Sequence, residues 1–227
     1  MPNFEIIKKS SYEKSFRVST VLGVFDLNDE SVCEQFKGEL PIENLNWRVG
    51  LIYGGSGTGK STISKEVFGE FSNHDFGDLP IVDEMPDHVS TDEIFKAFNS
   101  VGFSSPPSWL KPFSVLSNGE KMRTELAYFL LSKDKRIIFD EFTSVVDRQV
   151  AKVGSFAISK AIRRSDKQFV AVSCHSDIIE WLQPDWTFCT DNMSFFLPQN
   201  SSKDLQFDSQ SSAHREKTGN ILGNIII

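Results

Sequence analysis

Apolar residues along this 227-residue chain fall into short runs set apart by polar and glycine-containing stretches. The spacing within each run predicts its element. Two early segments, 4–8 and 16–26, alternate or cluster Val, Ile, Phe and Thr and predict strands. The clearest alternation is Ser15-Phe16-Arg17-Val18-Ser19-Thr20-Val21. Val49-Gly50-Leu51-Ile52-Tyr53 predicts a buried strand, and Thr62 to Phe68 a helix after it. Pro80-Ile81-Val82-Asp83-Glu84 reads as a further strand. Thr91 to Phe98 has amphipathic helical spacing with an N-cap at Ser90 or Thr91. From 116 to 190 the pattern alternates helix, strand, helix, strand, the rhythm of a parallel α/β sheet. Lys121 to Leu131 and a run from Arg148 onward are its helices. Arg136 to Phe139 and Phe169 to Cys174 are its strands, the former suited to a central position. Met193 to Pro198 predicts a last strand, so residues 1–198 form one α/β domain. Residues 199–227 turn polar and predict a flexible tail ending in the apolar Ile225-Ile226-Ile227.

Between the strand at 49–53 and the helix from Thr62 stands Gly54-Gly55-Ser56-Gly57-Thr58-Gly59-Lys60-Ser61. It fits the phosphate-loop pattern G-x-x-x-x-G-K-[ST] at every specified position, in the strand–loop–helix context that the pattern requires. The glycines let the backbone turn its N–H groups into one concavity around phosphate oxygens. The helix entered at Thr62 adds its positive N-terminal end. Lys60 is placed to reach the β- and γ-phosphates, and the Ser61 hydroxyl to bind Mg²⁺. The reading is a nucleoside triphosphate site.

Downstream, the apolar run Arg136-Ile137-Ile138-Phe139 ends in Asp140-Glu141. A strand ending in two carboxylates delivers them to the ligand crevice of a parallel sheet. Asp140 then holds Mg²⁺, and Glu141 polarises the water that attacks the γ-phosphate. Before this strand comes Leu116-Ser117-Asn118-Gly119-Glu120, opening a helix. Taken alone it reads equally as an anion site at a helix N-terminus or as an ordinary capping box. After the acidic pair follow Ser144-Val145-Val146-Asp147 and, at the end of the next apolar run, His175.

These five elements, in this order, resemble the motifs of ABC-type ATPases over roughly residues 45–190. The resemblance implies an ABC-type phosphate-loop NTPase fold, with a parallel sheet, a helical insertion and an N-terminal antiparallel sheet. It implies that Leu116 to Glu120 stands for the family's Leu-Ser-Gly-Gly-Gln, with Asn118 in place of the first glycine and Glu120 in place of the glutamine, and that Ser117 and Gly119 touch the γ-phosphate bound by a second chain in a head-to-tail homodimer. It implies that residues 144–147 are the D-loop and that His175 is the switch histidine at the γ-phosphate. In the family an aromatic ring from the antiparallel sheet meets the adenine; Phe25 is either that ring or a core phenylalanine. Two departures matter. No glutamine lies between Ser61 and Leu116, so the Q-loop glutamine is missing, and Asp83 or Glu84 is its candidate substitute unless both belong to an acidic surface loop. The insertion between Ser61 and Leu116 is also short for a transporter ATPase. The stretches Ser105 to Phe113 and Trp181 to Trp186 resemble soluble ABC-type ATPases that stand alone or are fused to an acetyltransferase-like domain in bacteria and phages. The expected function is Mg-ATP hydrolysis driving a change in an unknown partner protein. A transporter subunit, an ATPase of DNA maintenance or phage defence, and a switch that barely hydrolyses ATP are the rival readings.

Bulk properties agree with that range. The apolar runs fall far short of the ~18–20 residues that span a bilayer. Met1 to Glu5 carries no secretory signal, which places the chain in the cytoplasm. Cys33, Cys174 and Cys189 lack metal-ligand spacing and read as reduced thiols, Cys174 as a core residue. A net charge of −7, from 24 basic and 31 acidic residues, disfavours nonspecific coating of nucleic acid. Nucleic acid is therefore not indicated as a partner. The basic cluster at Lys160, Arg163, Arg164 and Lys167 suits a helix C-terminus.

Overall fold

Five uncharged residues, Val49–Tyr53, form strand β3 at the middle of a five-stranded sheet. The computed structural model describes residues 3–9, 13, 15–26 and 33–198. The tail read at 199–227 lies outside the described residues, as do parts of the N-terminal segment. On one side β3 pairs in parallel with β5 (Gln168–Ser173), and β5 pairs in parallel with β4 (Arg136–Phe139). On the other side β3 pairs in parallel with β6 (Trp186–Cys189), which carries β7 (Ser194–Phe196) antiparallel on its far edge. The inner strands read as unbroken apolar runs because both faces are covered. Leu51, Phe169 and Ala171 turn to one core, and Ile52, Val170 and Val172 to the other, as the period of two requires.

The first core is roofed by α5 (Asn118–Leu131), α6 (Arg148–Arg163) and α3 (Thr91–Ser100). The helical insertion is closed by the short α4 (Pro106–Trp109). Its Trp109 ring stacks on Phe95 and Phe98, and the indole N–H donates to Phe103 O at 3.1 Å. The stretch Ser105 to Phe113 is thus the hub of this insertion. The second core holds Ile63 of α2 (Lys60–Phe68) and an N-terminal antiparallel pair, β1 (Asn3–Lys9) and β2 (Cys33–Glu39). Phe4 of that pair meets Phe188 edge-on. A last short helix, α7 (Ile178–Leu182), packs on α6.

Four expectations are corrected here. Residues 16–26 are not a strand: α1 (Phe16–Val24) is a helix, N-capped by Ser15, whose side chain accepts from Val18 N–H at 3.3 Å. Val18, Val21, Leu22 and Phe25 recur at helical intervals while Phe16, Val18 and Thr20 alternate, so pattern alone did not separate the two. None of the residues of α1 is buried, and Phe25, read as adenine ring or core residue, is 67% exposed. Pro80 to Glu84 is a turn with one isolated bridge to Pro112. Pro80 lacks the N–H that a ladder needs. Finally, β4 is an edge strand, not a central one. Its open edge is covered by the irregular segment after α2: Ser72 N–H donates to Ile138 O at 2.9 Å, and Ile138 N–H to Ser72 Oγ at 3.0 Å.

Of the basic residues read as one cluster, Lys167 is buried and donates to Ser132 O and Asp134 O, while Arg163 pairs with Asp185 at 2.8 Å. These contacts are structural.

Gly50 sits beneath the fully buried Trp186 indole, and a Cβ there would come within 2.1 Å of it. Gly50→Ala is therefore expected to destabilise the fold by about 1–3 kcal/mol through overpacking. Gly23, in the exposed helix α1, has nothing within 4 Å of its virtual Cβ. Gly23→Ala is expected to stabilise by roughly 0.5–1 kcal/mol if it registers at all in global unfolding. Urea denaturation of the two variants checks both signs.

Candidate functional site

The C-terminal ends of β3, β5 and β4 lie at one edge of the sheet, with Tyr53 opposite Ser173 and Phe139 opposite Ala171. There they surround a cavity of about 530 Å³. Gly57 and Gly59 carry φ of 80° and 84°, and Gly59 leads straight into α2 without a side-chain cap. A side chain at Gly59 would also strike the Phe36 ring, 2.5 Å from its virtual Cβ. The first intrahelical bond of α2 runs from Ile63 N–H to Gly59 O. The N–H groups of Lys60, Ser61 and Thr62 therefore have no intrahelical acceptor, which makes this helix end a seat for an anion. All three residues line the cavity, with Ser56 and Gly57. Lys60 Nζ lies over the loop and donates to Gly55 O at 2.5 Å.

Across the cavity, Ser61 Oγ donates to Asp140 Oδ1 at 3.1 Å. The same carboxylate oxygen accepts the Glu141 N–H at 3.0 Å. Glu141 and Thr143 both have left-handed backbones, with φ of 49° and 67°. Between them Phe142 is fully buried, and its N–H donates to Val172 O at 2.8 Å. The chain turns twice around this anchor, leaving Glu141 exposed beside the loop. Asp140 and Glu141 thus meet Lys60 and Ser61 as their spacing implied.

The other candidates fall elsewhere. Ser117 is the N-cap of α5 in a full capping box with Glu120: the Ser117 hydroxyl and N–H both donate to Glu120 Oε2, at 2.8 and 2.9 Å. Ser108 Oγ donates to the other oxygen at 2.7 Å, and these hydrogen bonds hold the Glu120 carboxyl down to about 2. Ser117 and Gly119 do not line the cavity of their own chain's phosphate loop. His175 lies two residues beyond β5, half-buried, with its N–H on Ser173 Oγ. It is Ser173 and Cys174 that line the cavity at this point. Cys174 is thus exposed rather than a core residue, because β5 ends at Ser173. Asp83 and Glu84 line a separate depression with His74 and Tyr128, not this one.

Three contributors had no visible signal in the sequence. Lys8 brings a second cation from β1 to the cavity. Thr190 and Asp191, after β6, brace the phosphate loop from below: Asp191 Oδ1 accepts the Gly55 N–H at 2.8 Å, and Thr190 Oγ1 lies 2.5 Å from Thr58 Oγ1. Behind the Asp140–Glu141 turn is a second cavity of about 290 Å³, shared with Glu125 of α5 and with Asn73. Burial pushes the Glu125 carboxyl up to about 7.

No protein-family model and no curated protein matches the chain. Solved structures do. A bacterial Atm1-family ABC exporter with ATP bound superposes with a TM-score of 0.50 at 19% identity, over 64% of this chain and 32% of the exporter. The chain thus spans about a third of that polypeptide. MJ1267, an ATP-binding cassette of an ABC transporter in its ADP conformation, superposes with a TM-score of 0.51 at 13% identity, over 73% of this chain and 82% of MJ1267. At these identities the likeness is one of architecture. The chain has the fold of an ABC-type ATP-binding cassette.

Proposed function

We propose that this chain is an ATPase that binds Mg-ATP at the phosphate loop and hydrolyses it. One observation carries the reading: Ser61 Oγ and Asp140 Oδ1 meet at 3.1 Å in a cavity that also holds Lys60 and Glu141. A hydroxyl and a carboxylate oxygen in contact are the hard oxygen donors that Mg²⁺ takes while it keeps most of its water and phosphate ligands. Ser61 and Asp140 would hold the ion, which when bound neutralises charge on the phosphates. Lys60 and the free amides of the first turn of α2 bind and orient the phosphates. A water held by Glu141 attacks the γ-phosphorus, its proton passes to the Glu141 carboxylate, and the bond to the bridging oxygen breaks to leave ADP.

The exposed position of Ser117, with the half-buried Gly119 beside it and neither lining the cavity of their own loop, supports a head-to-tail homodimer. In it each signature turn closes over the partner's γ-phosphate, with His175 contributing at the same phosphate. The short insertion supports a cytoplasmic ATPase, alone or joined to an acetyltransferase-like domain, that acts on a partner protein. No helix among the described residues is long and apolar enough to cross a membrane.

Lys60→Ala is expected to abolish triphosphate binding by calorimetry, and unchanged affinity would refute the site. Glu141→Gln is expected to retain binding and lose about 10²–10⁴-fold in turnover, since an amide accepts no proton from the attacking water. A drop of less than about threefold would remove Glu141 as the base. With Mg-ATP the Glu141→Gln protein should scatter light as a dimer, and with ADP as a monomer. Adding Ser117→Arg should abolish that dimer while ATP binding survives; a monomer under every condition would reduce Ser117 to a helix cap.

A further inference from the structure

The second cavity sits on the far side of the Asp140–Glu141 turn, between α5, that turn and the segment that covers β4. Three carboxylates line it, Glu125, Asp140 and Glu141, and no lysine, arginine or histidine does. Phe71, Phe129 and Met122 supply apolar side chains to its lining and Asn73 and Asn118 supply amides, while Lys65 has its ammonium over the Phe71 ring at 5.1 Å and pairs with Glu70. Lys121, one turn from Glu125, has its ammonium over the Phe113 ring at 5.5 Å and does not line the cavity, though its charge partly offsets the burial of Glu125. Glu125 is half-buried on α5, where an unpaired carboxylate is costly. No group of three acidic, histidine or cysteine side chains among the described residues is arranged to hold a metal ion.

We propose that this cavity receives the guanidinium of an arginine presented by a partner protein, with Glu125 as its anchor. A guanidinium is planar, stacks on aromatic faces and binds a carboxylate through two parallel hydrogen bonds, which is the chemistry these walls offer. Its alkyl stem suits Met122 and the phenylalanines. Both states of Glu125 fit the assignment: alone, burial pushes the carboxyl up to about 7, and an arriving cation restores its charge. No arginine among the described residues lines the cavity, and four of them are engaged elsewhere. Arg136 binds Gln168, Arg148 pairs with Asp177, Arg163 with Asp185, and Arg48 reaches Lys167 O. The cavity also touches Glu141 from behind.

The test uses the whole chain labelled at its methionine methyls and titrated with N-acetyl-arginine amide. The Met122 methyl should shift saturably, with a dissociation constant on the order of 1 mM, as suits a single side chain. Met85 and Met193 should stay still. The neutral citrulline analogue should move nothing, and Glu125→Gln should weaken the arginine effect about tenfold or more. Unmoved Met85 and Met193 signals show that this variant is folded, and the citrulline arm on the unaltered chain decides the matter without it. No Met122 shift, or an equal shift with citrulline, overturns the site. A Met122 shift that follows protein concentration alone overturns the partner assignment, since a second copy then fills the cavity. The methyl signal stands whether or not the chain hydrolyses ATP.

Discussion

The contact between the Ser61 hydroxyl and the Asp140 carboxylate depends on a strand that belongs to neither. β5 lies between β3 and β4, so the phosphate loop must arch over the end of β5 before Ser61 reaches Asp140. Parallel register makes that reach short. Tyr53 is level with Ser173, and Phe139 with Ala171, so all three strands stop at one edge. This is the crevice outside the carboxyl ends of an open parallel sheet, where ligands of such folds bind. Ser173 and Cys174 form its floor for the same reason. Shifting any one strand by a residue would separate the hydroxyl from the carboxylate and turn each side chain to the wrong core.

The turn that follows Asp140 holds strain of a kind that tends to gather at working sites. Two left-handed residues with side chains, Glu141 and Thr143, cost on the order of 1–2 kcal/mol each. Phe142 between them supplies the restraint, with its ring fully buried and its N–H bound to Val172 O. Full burial of a phenylalanine is worth about 1.5–3 kcal/mol, which offsets much of that cost. The gain is in position: Glu141 leaves the sheet facing both the phosphate cavity and the one behind it.

Motifs were legible wherever chemistry constrains neighbouring residues. The loop from Gly54 to Ser61 and the pair Asp140-Glu141 were found because backbone turn, cation and carboxylates must follow one another closely in the chain. Strands buried on both faces, such as Val49–Tyr53 and Gln168–Ser173, were equally plain, since nothing polar interrupts them. The failures share a cause, which is that partners distant in sequence decided the outcome. Phe16 to Val24 lacks a strand to pair with, so its Ser15 cap wins. β6 is only four residues long and follows Gln183-Pro184-Asp185, which reads as a loop. It forms because Trp186 fills the space above Gly50, and Asp185 accepts the Arg48 and Val49 N–H groups at 2.7 and 2.9 Å. Lys8 entered the site through the pairing of β1 with β2, a contact that no local spacing encodes.

Asn118 shows how a departure from a family pattern gains meaning only in three dimensions. Where the family form has glycine, its side-chain amide donates to Val145 O at 3.1 Å, joining the start of α5 to the loop before α6. Gly119 completes the joint, for its virtual Cβ is already 3.0 Å from Val150, in the first turn of α6. Asp147 caps that turn by accepting from Gln149 and Val150 N–H. The turn at the start of α5, the Val145 loop and the start of α6 are thus fastened into one corner. The restrained turn at Glu141 enters that corner directly through Ser144, whose N–H donates to Glu141 O at 2.9 Å. The start of α5 and Glu141 are thus linked through the Asn118–Val145 and Ser144–Glu141 hydrogen bonds and the backbone between them.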